Sequence, residues 1–130
     1  MKVIDGKNAV MGRLASYAAK EALKGEEIAI LNCEQVIITG NKESILREFK
    51  EQRSRVGWGQ TGPKHIKASD RIVKRVIRGM LPNYREGRGR EAFKRIKCYI
   101  GVPKEFEGVK KIVSGKEKKI KFSRVGEFVK

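Results

Sequence analysis

Between Arg71 and Lys97 the chain sets ten Lys or Arg against two Glu, a local net charge of +8, half the +16 surplus of the whole 130-residue sequence. Guanidinium groups at this density suit the binding of polyanions, because each planar fork can bridge two phosphate oxygens at once. The spacing says where they point. Ile72, Val73, Val76, Ile77 and Met80 recur on one side of a helical period, with Arg71, Lys74, Arg75 and Arg78 on the other. Gly79 and Pro82 then stop the helix. The loop expected after them carries Arg85, Arg88 and Arg90 around Gly87 and Gly89, where a missing Cβ lets backbone approach a ligand. Upstream, Arg53, Arg55, Lys64 and Lys67 extend the basic set. Trp58 and Tyr84 lie in Gly-rich or Pro-adjacent loops, free either to stack on unpaired bases or to pack their own loops, whereas Tyr99 sits in an apolar run and reads as core.

Other chemistries find less support. The turn DGKNAVMGR leads from a strand into a helix, as a phosphate-binding loop does. Its Gly6 and Gly12 are separated by five residues rather than four, and Arg13-Leu14 replaces the required Lys-Ser or Lys-Thr. A small nucleotide-binding enzyme built on this turn is the rival from another class, and a free-standing nucleic-acid packaging protein is a third reading. The only histidine, His65, is either a phosphate or base contact or a solvated loop residue. One histidine, and two cysteines 65 positions apart (Cys33 and Cys98), make no metal-ligand spacing, and no serine lies in a nucleophile-elbow sequence. No enzyme activity, cofactor, metal or small-molecule substrate is expected.

The supporting elements follow from composition and pattern. One hundred and thirty residues suffice for one domain with a sizeable core, and 39% hydrophobic with 35% charged residues is too apolar for a wholly disordered chain. Residues 1 to 46 carry no net charge and read as scaffold, while most of the remainder is basic. No run approaches the roughly 20 apolar residues of a membrane span, and no secretory signal precedes Val3. A cytosolic protein with reduced cysteines and no membrane partner is expected.

Lys2 to Asp5 reads as a short strand, and residues 12 to 25 as a helix closed by Gly25. Ile28 to Leu31 and Val36 to Thr39 read as strands too. The short gap between them leaves either an antiparallel pair or an unusually tight crossover. Lys42 to Arg55 reads as a helix with Ile45, Leu46 and Phe49 as its buried stripe, Ser69 or Asp70 as the cap of the basic helix, and Cys98 to Ile100 as a final core strand. After Lys104 the composition shifts toward Lys and Glu. Val109 to Val113 and Ile120 to Phe122 could pair as a hairpin, and residues 104–130 read as a basic extension on a domain spanning 1–103.

Several of these segments are similar to one known family. GRLAS at 12–16, LNCEQVIITGNK at 31–42, RGMLP at 78–82, Gly89-Arg90 and KCYIGVP at 97–103, in that order, resemble the universal large-subunit ribosomal protein family L-thirteen, of the archaeal or eukaryotic type. The resemblance covers about residues 2–103. It implies a three-layer α/β/α domain around a mainly parallel four-stranded sheet, a structural role on large-subunit rRNA beside neighbouring large-subunit ribosomal proteins in the cytoplasmic ribosome, and no enzymatic activity. It further implies that Arg78 to Pro82 and Arg85 to Arg90 lie against RNA.

Overall fold

The computed structural model describes residues 1–55, 59, 65–113, 115–116 and 119–129. Strand β1 (Lys2–Asp5) leads through helix α1 (Met11–Leu23) to β2 (Ile28–Leu31), which pairs parallel with β1 so that Ile4 faces Ile30 across the ladder. Helix α1 exists because Leu14, Ala15, Ala18 and Ala22 form one buried stripe, and it ends where Gly25 takes φ +100°. The alanines keep that stripe thin. Helix α3 (Ser69–Met80) therefore packs closely against α1 with Ile72, Val73 and Ile77. Helix α4 (Gly87–Arg95) runs straight into β4 (Ile96–Cys98), which pairs parallel with β2.

The result is a sheet of order β4-β2-β1-β5, all parallel, where β5 is Ile112–Val113. Alternation along the strands divides the core in two. Ile4, Ile28, Ile30 and Ile96 meet α1, α3 and α4 on one face, and Val3, Ala29 and Leu31 meet Phe106, Tyr99 and Val102 on the other. The architecture is thus three-layered, with the third layer reduced to the helical turn Lys104–Phe106.

Four details differ from the sequence expectations, each for a local reason. The second and third apolar runs are neither an antiparallel pair nor a crossover within one sheet. Asn32 adopts a left-handed conformation, its side chain donates to Asp5 Oδ1 at 2.9 Å, and the turn Cys33–Gln35 carries the chain out of the main sheet. β3 (Ile37–Thr39) then pairs antiparallel with β6 (Phe122–Arg124). That pairing, with β5 on β1, also replaces the expected hairpin, and Val125 beyond it is fully buried in the main core. The last strand of the 71–100 region falls at 96–98, because Arg95 ends α4 without a linker. Helix α3 is preceded by Ala68 with no side-chain cap, and Ser69 instead lies buried in its first turn.

Helix α2 (Lys42–Ser54) does begin with a side-chain cap: Asn41 Oδ1 accepts from the Glu43 amide at 3.1 Å. Its apolar stripe, Ile45, Leu46 and Phe49, is only half-buried against the core. This leaves Phe49 available to line a surface.

Candidate nucleic-acid interface

The amphipathic reading of α3 holds in its main lines. Ile72, Val73 and Ile77 are buried, and Arg71 is exposed, with Lys74, Arg75 and Arg78 half-exposed. Two residues read as core depart from it: Val76 is half-buried and Met80 is 43% exposed. Val76 is open beside the helix's basic flank, and Met80 sits in the last turn, past the packed part of the stripe.

That flank borders a cleft of about 670 Å³ between α2, α3 and α4. Phe49, Val76, Tyr84 and Phe93 supply apolar wall, and Arg71, Lys74, Arg75, Arg78 and His65 also line it, with no carboxylate among the described lining residues. The cations are organised by the rings. Lys74 Nζ lies 4.9 Å from the centroid of Phe93, and Arg78 Cζ lies 4.5 Å from that of Tyr84. Arg85 approaches Tyr84 as well, with Cζ at 5.5 Å from the ring and Nε donating to the phenol oxygen at 3.3 Å. That hydrogen bond, with the charges of Arg85, Arg78 and Arg75, pulls the Tyr84 phenol below the usual tyrosine range. Tyr84 and Phe93 meet at 6.3 Å with a 55° tilt, and Arg53 lies over Phe49 at 5.1 Å.

The expected site residues therefore sort by place. His65, Arg71, Lys74, Arg75 and Arg78 converge on the cleft, and Arg85 joins through Tyr84. Arg53, Arg55 and Lys67 do not line it, nor do Gly79, Arg88 and Arg90. Trp58 and Lys64 lie outside the described residues. Arg88 and Arg90 are not on a loop, because α4 begins at Gly87 (φ +57°) and takes both into its first turn. With no acidic residue in that turn, their charge adds to the positive end of the helix dipole. Gly89 does serve a close approach, but within the chain: a Cβ there would collide with the carbonyl oxygens of Pro82 and Asn83. Arg95 likewise turns inward and donates to the Ala22 carbonyl at 3.1 Å.

Phe49 and Phe93 were absent from the expected site, although an aromatic embedded in the basic run 88–97 was a signal for the second. Tyr99 packs against Phe106 at 5.4 Å, as a core residue should.

In the turn after β1 the amides of residues 6 to 9 are all engaged within the chain. The amides of Gly6, Lys7, Asn8 and Ala9 donate to Leu31 O, Asp5 Oδ1, Gln35 O and Gly6 O in turn. A Cβ on Gly6 would stand 2.8 Å from the Leu31 carbonyl oxygen, and Gly115 lies so close over Asn8 and Ala9 that any Cβ on it would strike their backbone. Among the described residues, no three His, Cys, Asp or Glu side chains gather in a way that could hold a metal ion. No described helix is long and apolar enough to cross a membrane.

Comparison with known proteins gives a consistent result. A family profile described as "Ribosomal protein L13" matches residues 1–105. Proteins named "Large ribosomal subunit protein uL13" are similar along most of their length. That of Methanococcus maripaludis is 53% identical over 112 residues, covering 84% of this chain and 79% of the relative. The Methanocaldococcus jannaschii protein is 48% identical over 86% of this chain and 83% of its own. The one from Natronomonas pharaonis is 43% identical over 96% of this chain and 85% of its own.

Proposed function

Because this chain belongs to the ribosomal protein L13 family, we propose that it is a structural constituent of the large ribosomal subunit and binds large-subunit rRNA through the basic face of α3 and its surroundings. The observation that carries the interface is the carboxylate-free convergence of Arg71, Lys74, Arg75 and Arg78 on one cleft. Arg85 and the first-turn Arg88 and Arg90 of α4 supply further charge. Work here is electrostatic and geometric rather than catalytic. A rigid scaffold holds guanidinium and ammonium groups at fixed spacing, rRNA folds against them, and condensed counterions are released. Partners are rRNA and adjoining large-subunit proteins, in the cytoplasmic ribosome.

The test is titration of protein-free large-subunit rRNA with the protein across a salt series. Each phosphate neutralised adds about 0.7 to 0.9 to the log-log salt slope. Arg75→Glu combined with Arg78→Glu is expected to weaken binding at least about tenfold and to flatten the slope by roughly 1.5, with the fold preserved. Wild-type affinity and slope in the double variant would remove α3 from the interface. The nucleotide-enzyme reading makes a separate prediction, a melting shift with ATP or NAD, and the occupied amides of residues 6–9 speak against it.

A further inference from the structure

A phosphate-binding surface needs only cations, yet this one is built around rings. Phe93 and Tyr84 come from α4 and from the loop before it, and Phe49 comes from α2. Burying these rings in the core would be the cheaper use of their apolar area. Instead Tyr84 and Phe93 are half-exposed at a cleft that is otherwise lined by apolar side chains, among them Phe49, Ile72 and Val76, and by the four cations Arg71, Lys74, Arg75 and Arg78. A phosphodiester alone gains nothing from such a wall. A ligand that carries an anion and a flat aromatic surface at fixed separation gains from both.

We infer that the cleft between α2, α3 and α4 receives an unpaired nucleobase of the rRNA, extruded from its helix and stacked against Phe93 beside Tyr84, while Lys74, Arg75 and Arg78 hold the flanking phosphates. The inference rests on the rRNA reading above and adds to it a specific subsite. Two geometric features favour a base over an acidic peptide. The rings are tilted by 55° at 6.3 Å, so a flat group lying on one meets the other edge-on, an arrangement that aromatic pairs prefer. Lys74 and Arg78 also stand at the ring faces, so these faces already accept a partner, and a base stacking there takes their places while the two cations pass to its flanking phosphates. A carboxylate side chain would use the cations and leave the rings idle. The volume of about 670 Å³ is ample for a base and its sugar.

Stacking and phosphate contact leave different thermodynamic marks, which separates this inference from the one it rests on. Stacking releases no counterions. Phe93→Leu, which keeps an apolar side chain but removes the π-face, is therefore expected to weaken rRNA binding about tenfold with the salt slope unchanged, and Tyr84→Leu to act in the same direction. Ultraviolet zero-length crosslinking of the wild-type complex, followed by mass spectrometry, is expected to place a nucleotide adduct on Phe93 or Tyr84. Wild-type affinity in both leucine variants, or adducts confined to other residues while rRNA remains bound, would overturn the base subsite and leave the basic-face reading standing. Crosslinks from these rings to a neighbouring protein in assembled subunits would overturn it in favour of a peptide occupant. Failure of the wild-type protein to bind rRNA at all would overturn both readings.

Discussion

Tyr84 shows how much chemistry a single side chain can report here. Its phenol is held below its ordinary range by Arg85 first, with Arg78 and Arg75 adding to the effect. In an alkaline titration followed by tyrosinate absorbance, the Tyr84 phenol is expected to ionise below the ordinary tyrosine range, and Arg85→Ala should return it toward that range. A Tyr84 signal that Arg85→Ala leaves unmoved would mean that Arg85 does not rest on the ring in solution. At this scale the sequence was legible for charge and poorly legible for rings. Lys74 and Arg78 announce themselves as cations on a helical period. That each lies over an aromatic ring from another segment follows only from how α3, α4 and the intervening loop pack. The two cysteines are a similar case. Their separation in sequence rules out a metal motif, yet the fold brings the Cys33 thiol against that of Cys98, a contact that together with burial pushes the Cys33 thiol up.

Helices with a clean period were readable as elements, and so was the third strand, but the partner it takes was not. Helices α1 and α3 advertise their buried faces within a dozen residues, because helical contacts recur locally. The fate of β3 depends on Phe122–Arg124, far along the chain, and on the left-handed Asn32 that ejects it from the main sheet. No local pattern carries that information. The same distinction sharpens a prediction about α3. Val73 is fully buried, so Val73→Asp is expected to abolish cooperative thermal unfolding through an unpaired buried carboxylate, at a cost on the order of 4 kcal/mol or more. Val76 lines the cleft and is only half-buried. Val76→Asp should leave a folded protein with weakened rRNA binding. Circular dichroism melts of the two variants check this, and equal destabilisation would mean that the helix is rotated relative to the placement described.

For the molecule as a whole, a net charge of +16 opposes compaction, and the neutral N-terminal scaffold must offset it. One ion-pair cluster around a buried carboxylate adds to that offset. Glu21 is 6% exposed, paired with Lys2 and with Lys24 at 3.2 Å, and its carboxyl is held below the ordinary value of 4.5, chiefly by the Lys2 hydrogen bond. A depressed folded-state pKa gives stability that is present above the unfolded value and is lost as pH falls through the folded one. The raised Lys2 value acts in the opposite sense, its share fading only as pH rises past its ordinary 10.5. Glu21→Gln should therefore melt a few degrees lower than wild type at neutral pH, with the gap closing in acid. A gap that persists unchanged in acid would assign the effect to packing instead.

The C-terminal segment supplies the other whole-molecule constraint. β5 completes one edge of the main sheet, β6 completes β3, and Val125 enters the core, so a chain ending at residue 111 is expected to lose its cooperative melt. A sharp two-state transition in that truncation would show these contacts to be ornamental. Their order along the chain also sets an order in time. Synthesis proceeds from the N-terminus, so the arginines of α3 and α4 leave the exit tunnel before the strand that closes their scaffold has emerged from it. Closure needs contacts between distant parts of the chain, which makes it slow relative to the helices. A nascent chain of this protein thus exposes its basic residues, on the surface of a ribosome already rich in RNA, before the fold that positions them is complete.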